Sequence, residues 1–384
     1  MRKILICAVV FVSLGCVSYA QSGWKLFSEE TAKQFIHRFP DADAIRWGMQ
    51  ENSFSWQSGY IMFALEHLWR WSGETKFYDY IKDFVDKNVD CDGNLRQFSP
   101  DALDNFLPGY ACLLLYEQTG EGCYAKAAET IRAGFDTYPR FDNGMFWHSR
   151  GIRQVWVDGV FMGQMFLARY AKTMGHPEDF TEVVRQMKGI MDLCGKDNGH
   201  FLHAWDEEGP SQEVWSEGMG WLAVLWADVF DFLPDDMNGR QELLDRLSLM
   251  CKGLKQSQNP LTGMWCQVVD KPSAPGNWNE TSGTGMFLYL IQKAISKGFV
   301  SEEEFSPVTR KAYEGILKKA VVNADGYINL MDGSSIGVQR DYESYISQPH
   351  EISTFAAYAS FILGTGIMEH GCPMTNENKT EQTK

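Results

Sequence analysis

An all-α protein, an (α/α)6 barrel of six helical hairpins, is the fold class that this sequence predicts, on three observations. Apolar residues recur at 3.6-residue spacing in about twelve segments. Strand-like alternation is nearly absent. The segments follow one another with no seven-residue seam and no fixed repeat period, which favours a toroid over a bundle or a solenoid. In chain order the segments lie near 28–38, 55–72, 76–88, 102–119, 122–136, 157–174, 178–193, 213–232, 237–257, 279–297, 303–320 and 351–367, separated by loops rich in Gly, Asp and Asn. Pro108 marks a fresh helical start within the fourth, since a first turn has no use for the N–H that proline lacks. The sixth opens in RQVWVDGVFMGQMFLARYA, nearly all apolar apart from one acid, Asp158.

The first residues, MRKILICAVVFVSLGCVSYA, carry Arg2 and Lys3, an apolar run and a small-residue site at Ser18-Tyr19-Ala20. That is the layout of a secretory leader, 1–20, with the mature chain starting at Gln21 and a periplasmic destination. A lipidated Cys16 is the competing reading, disfavoured because Ser13-Leu14-Gly15 lacks a branched residue three positions earlier. Residues 21–374 then read as a single catalytic domain, since no linker or charge run divides them, and 375–384 as a disordered tail. Loss of Arg2 and Lys3 moves the net charge from −15 to −17, which argues against nucleic acid or an anionic membrane as partner. No later run reaches the length of a membrane span. Seven cysteines remain (Cys91, Cys112, Cys123, Cys194, Cys251, Cys266, Cys372) without metal-ligand spacing, so buried free thiols are expected.

In a helical toroid, loops at one end of the inner helices form a cleft where aromatic rings stack on sugars. About a third of the thirteen tryptophans are assigned to such a site. Asp158 has a structural explanation as an N-cap. Its neighbourhood, GMFWHSRGIRQVWVDG, adds His148, Gln154 and Trp156, more polar and aromatic groups than a cap needs. Hemmed in by Val155, Trp156 and Phe161, its carboxyl is expected to be poorly solvated, to have a raised pKa and to suit proton donation. Asp104, in DALDNFLPGY, is the second acid ahead of an apolar helix. His203, in GHFLHAWDEEG, is the third candidate, with His200 too weak a partner for a metal site. With no metal motif, phosphate loop or nucleophile elbow, acid/base chemistry free of metal and cofactor remains.

The segments FSWQSGYIMFALEHLWRWSGETKFYDYI, LDNFLPG, FWHSRGIRQVWVDGVFMG, GHFLHAWDEEG, WSEGMGW, NWNETSGTGMFLY and YESYISQP, in that order, resemble the unsaturated rhamnogalacturonyl hydrolases of glycoside hydrolase family 105, and more distantly the unsaturated glucuronyl hydrolases of family 88. The resemblance runs from about residue 45 to 367. It implies an (α/α)6 enzyme that removes a 4,5-unsaturated uronic acid from the non-reducing end of lyase-generated oligosaccharides by hydration of the double bond. On it, Asp158 is the acid/base and Asp104 the assisting acid; His148, Trp156, His203 and Trp215 line the sugar pocket, and Gln154 and Trp221 are counted with them. Oligomeric state and the reducing-side sugar are left open.

Two departures stand out. Trp56 takes the place of a family tyrosine. Glu217 stands in WSEGMGW where many members have an arginine that would help to bind an anionic sugar, and a carboxylate there repels a uronate unless protonated or paired. Its alternative role is a first-turn acid favoured by the helix dipole. Arg150, Arg153 and Arg340 are candidates for a replacement cation. The competing functions are an (α/α)6 hydrolase or epimerase of saturated sugars, favoured somewhat by Glu217, and an inactive sugar-binding homologue, disfavoured by the retention of both Asp104 and Asp158.

Overall fold

The computed structural model describes residues 26–46, 52–334 and 336–371. The expected leader with its cleavage site, Cys16, Cys372 and the expected tail lie outside the described residues. Thirteen helices form among the described residues: α1 (Phe27–Arg38), α2 (Trp56–Ser72), α3 (Thr75–Asn88), α4 (Gly109–Thr119), α5 (Gly122–Ala133), α6 (Val157–Met174), α7 (Glu178–Cys194), α8 (Ser216–Asp228), α9 (Arg240–Ser257), α10 (Thr281–Ser296), α11 (Glu302–Leu317), the short α12 (Tyr342–Ile346) and α13 (Phe355–His370). All but α12 were expected. The fourth starts later than the spacing suggests: Pro108 sits just before α4, while residues 103–105 form a separate 3-10 turn. None of these helices is long and apolar enough to cross a membrane.

Helices α2, α4, α6, α8, α10 and α13 pack each on the next and α13 packs back on α2, closing an inner ring, so the (α/α)6 expectation is borne out. These helices are apolar on every side because they are covered on every side: each residue of α8 is buried. Close approach is set by small residues, for a Cβ on Gly285 of α10 would lie 2.4 Å from the Ser360 carbonyl of α13. The pairing is offset from simple chain order. Helices α3, α5, α7, α9 and α11 back the inner helix before them, but the sixth hairpin joins the two ends of the chain, with α1 packed on α13. Glu369 of α13 accepts the N–H groups of Phe27 (2.9 Å) and Ser28 (3.0 Å), filling two orphan donors of α1.

Among the described residues, seven strands of two or three residues, too short to leave an alternating pattern, decorate the loops. They are β1 (Val155–Trp156), β2 (Ala204–Asp206) and β3 (Gly209–Pro210) in one sheet, β4 (Trp265–Cys266) with β5 (Asn279–Glu280), and β6 (Ala320–Val322) with β7 (Ile328–Leu330), all antiparallel. They belong to a backbone relay at the N-terminal mouth of the ring. Leu103 N–H donates to the His148 carbonyl (3.0 Å), Val157 to His203 (3.1 Å), Ser216 to Gln267 (2.9 Å) and Thr281 to Asp332 (3.0 Å). Each loop thus satisfies the first donor of its neighbour; α6 and α8 begin without a side-chain cap, whereas α10 is also capped by the Glu280 side chain.

Candidate active site

The relay gathers a cavity of about 410 Å³ at this mouth, lined by Trp56, Gln57, Asp104, His148, Ile152, Trp156, Asp158, Met162, Trp215, Glu217, Trp221, Ile336 and Gly337. Four of the thirteen tryptophans are here, as the aromatic count suggested. Of the ten residues singled out from the sequence, eight meet at this cavity and two stand behind it.

Asp158 is not an N-cap. The cap position of α6 is Trp156, and Asp158 is the second residue inside the helix, because the β1–β2 pairing holds Trp156 extended and already satisfies Val157. The carboxyl is 9% exposed and its Oδ2 has no hydrogen-bond partner. His203 Nε2 lies 3.3 Å away, close but poorly aligned. Fully buried, His203 packs tilted against Trp215, with ring centroids 4.5 Å apart, and places Nδ1 2.8 Å from the Tyr345 hydroxyl. That hydroxyl also accepts the Gln339 N–H (3.2 Å) and holds the ring so that Nε2 faces Asp158. His203 therefore backs Asp158 and does not line the cavity.

Gln154 is the other residue behind the wall. Its amide donates to Asp206 (2.9 Å) and accepts the indole N–H of Trp156 (2.8 Å), so it holds the ring. Trp156 stacks on His148 at 4.1 Å and 12°. Gly159 makes room for this pair, since a Cβ there would stand 3.0 Å from His148 Nδ1. Trp221 lies edge-on to Trp56 and stacked on Phe161.

Asp104 projects from the 3-10 turn, half-buried. Burial raises its pKa; His148 opposes the shift and Asp158 adds to it. Glu217, like Asp158, is the second residue of its helix, the first-turn position expected of it. It is 2% exposed, and Oε2 accepts from the Ser282 hydroxyl at 2.8 Å. Burial, then the neighbouring Glu280, push its carboxyl well above the usual range; Ser282 opposes this, while Asp158 and Glu351 add to it. Glu280, Ser282, Tyr345 and Gln57 were not singled out from the sequence, although all lie within the quoted motifs. What they touch depends on segments far away in the chain. Four of the six described cysteines are buried and all six are free thiols.

A family model, Glycosyl Hydrolase Family 88, matches residues 27–368. Protein Atu3128 of Agrobacterium fabrum is 32% identical over 153 residues, which cover 37% of this chain and 65% of that relative. The unsaturated rhamnogalacturonyl hydrolase YesR of Bacillus subtilis is 24% identical over 69% of this chain and 84% of its own. A solved family 105 glycoside hydrolase of C. acetobutylicum superposes with a TM-score of 0.81 at 24% identity, over 90% of this chain and 99% of that one. The resemblance read from the seven motifs is thereby borne out.

Proposed function

This chain belongs to Glycosyl Hydrolase Family 88, and from that premise we propose that it is an unsaturated rhamnogalacturonyl-type hydrolase acting on lyase-generated oligosaccharides. The observation that carries this reading is the Asp158 carboxyl, held on a helical first turn against the cavity with one oxygen unpartnered and His203 behind it. In the proposed reaction Asp158 gives its proton to C4 of the enol ether. Positive charge develops at C5 and the ring oxygen, water adds at C5, and its proton passes to the Asp158 carboxylate. The resulting hemiketal opens to a C5 ketone, and the hemiacetal left at C1 expels the remaining sugar. Net, one water is consumed and the acid is regenerated. Proton transfer by a placed side chain supplies roughly 10² to 10⁴ in rate, the rest coming from positioning by the aromatic walls and by Asp104.

The test is loss of the ultraviolet absorbance of the conjugated double bond on a panel of pectin- and rhamnogalacturonan-lyase products. Turnover by the parent and its loss in Asp158→Asn are expected. Release of saturated sugars with the double bond untouched, or binding without turnover, overturns the reading in favour of the alternative enzyme or a sugar-binding protein. We also propose export with cleavage before Gln21; a lipid on Cys16 in the mass spectrum of the exported protein refutes simple cleavage.

A further inference from the structure

The cavity lacks the positive charge that an anionic sugar calls for. Its lining holds Asp104, Asp158 and Glu217 and, among the described residues, no lysine or arginine. The candidate replacements are engaged elsewhere: Arg153 with Glu207 (2.9 Å), Arg340 with Asp341 (2.8 Å), and Arg150 with the carbonyl oxygens of Pro100 (3.3 Å) and Thr137 (3.1 Å). A terminal unsaturated uronate adds yet another carboxylate.

We propose that Glu217 is a specificity-determining residue that meets the substrate carboxylate as a neutral carboxylic acid, donating a hydrogen bond where a cation would otherwise stand; this rests on the function proposed above. The geometry assigns the proton. Ser282 Oγ stands between Glu217 Oε2 (2.8 Å) and Glu280 Oε1 (2.5 Å). Glu280 also accepts the backbone N–H groups of Ser282 and Gly283, each at 2.6 Å. Those groups can only donate, so both Glu280 oxygens accept, and although burial raises the Glu280 carboxyl too, these donors favour its charged form, which makes Glu280 the anion of the pair. A second anion one hydroxyl away, buried, has no cation to offset it.

The titratable groups facing Glu217 are Glu280 from α10, Asp158 from α6, Glu351 from the segment before α13, and the Tyr60 hydroxyl from α2, which bonds Ser360 at 3.1 Å. None is basic, and burial with Glu280 drives the Glu217 carboxyl upward. With Glu280 the anion, the single hydrogen of Ser282 points to Glu280 Oε1 and the Glu217 proton rests on Oε2 toward Ser282 Oγ. A ligand carboxylate at Oε1 is a stronger acceptor than that hydroxyl and draws the proton to itself. Glu217 is neutral below its raised pKa, so affinity for an anionic sugar is present on the acid side and is lost as pH rises through that pKa.

The experiment is calorimetric titration of an unsaturated digalacturonate, a pectate-lyase product, into Asp158→Asn protein between pH 5 and 9, with and without Glu217→Gln or Glu217→Arg. Glutamine keeps a neutral donor, so its variant should bind within about fivefold of the Glu217 protein at pH 5. It should also lose the alkaline decline, which for Glu217 is expected to exceed about tenfold. Arginine should bind at least as tightly across the range. Any His148 contribution persists in the glutamine variant and so subtracts out. Binding by the Glu217 protein that stays as flat with pH as binding by the arginine variant overturns the proposal. So does binding abolished at pH 5 by both substitutions despite parental melting temperatures. The parent is assayed for hydration of the same disaccharide. Failure there refutes the functional reading, whereas hydration with a flat binding profile refutes only the role of Glu217.

Discussion

At the N-terminal mouth of the inner ring, Asp104, Asp158, Glu217 and Glu280 gather with, among the described residues, no lysine or arginine on the cavity lining. At the C-terminal mouth, a second cavity of about 720 Å³ is lined by four acids, each tied to a base. There Arg169, 2% exposed, bonds Glu66 (2.7 Å) and Glu117 (2.6 Å), and Lys293 bonds Asp228 and Asp231, both at 2.6 Å. His67 Nε2 stands 2.8 Å from Asp228. Burial alone would raise the pKa of Glu66 and Asp228, yet Arg169 and Lys293 respectively overcome it and lower both. At the other mouth burial prevails, and Asp104, Glu217 and Glu280 are raised. The same six helices thus end in a satisfied ionic plug and begin in an unsatisfied acidic cavity. The helix dipoles favour acids at the N-terminal mouth and bases such as Arg169 and Lys293 at the C-terminal one, where they also offset the four acids. The lesson is that buried acid without an ion-pair partner marks the mouth proposed to carry the chemistry, whereas ion-paired buried acid at the other mouth serves the structure.

The largest effect that separates the two mouths is expected from Asp158→Asn, with kcat/KM falling about 10² to 10⁴-fold. Its melting should stay within about 1 kcal/mol of the parent, because Oδ2 makes no hydrogen bond to lose. Full activity in that variant erases the distinction between the mouths. Arg169→Met should do the reverse, costing about 3–5 kcal/mol in denaturant melts by removing the buried base that bridges Glu66 and Glu117 and leaving them only the more exposed Arg70, while kcat/KM well below the transition stays near parental. A neutral result would show the plug to be dispensable.

Gly159→Ala is predicted to be intermediate. The new Cβ would lie 2.9 Å from Leu103 and 3.0 Å from His148, and overpacking of about 1–3 kcal/mol should appear with reduced turnover as the His148–Trp156 stack shifts. Unchanged kinetics would show that the stack is not needed where it stands. The smallest effect concerns Glu217→Gln. A raised folded pKa makes the acid's contribution full below the unfolded carboxylate's value, about 4.3, and lost as pH rises through the folded one. The glutamine variant should therefore melt higher than the parent at neutral pH, by roughly 2–4 °C, with the gain vanishing toward pH 4. A gain of equal size at both pH values would point to packing instead of protonation.

The amino-acid sequence by itself determined the helices, the ring they form and the two acids of the candidate site, because apolar spacing and motif order are local and survive in one dimension. It placed the start of α6 correctly but left open whether Asp158 caps or enters the helix, which depends on the pairing of Val155 and Trp156 with a loop far along the chain. It counted His203 and Gln154 among the pocket residues, although their side chains turn to Asp158 and Tyr345 and to Trp156 and Asp206 behind the wall. Nor did it show that the sixth hairpin is made from the two ends of the chain. Only the tertiary structure decided the upward shift of the Glu217 carboxyl: a carboxyl's pKa is set by the dielectric and the charges around it, and these come from α6, α10 and the approach to α13, brought together by closure of the ring.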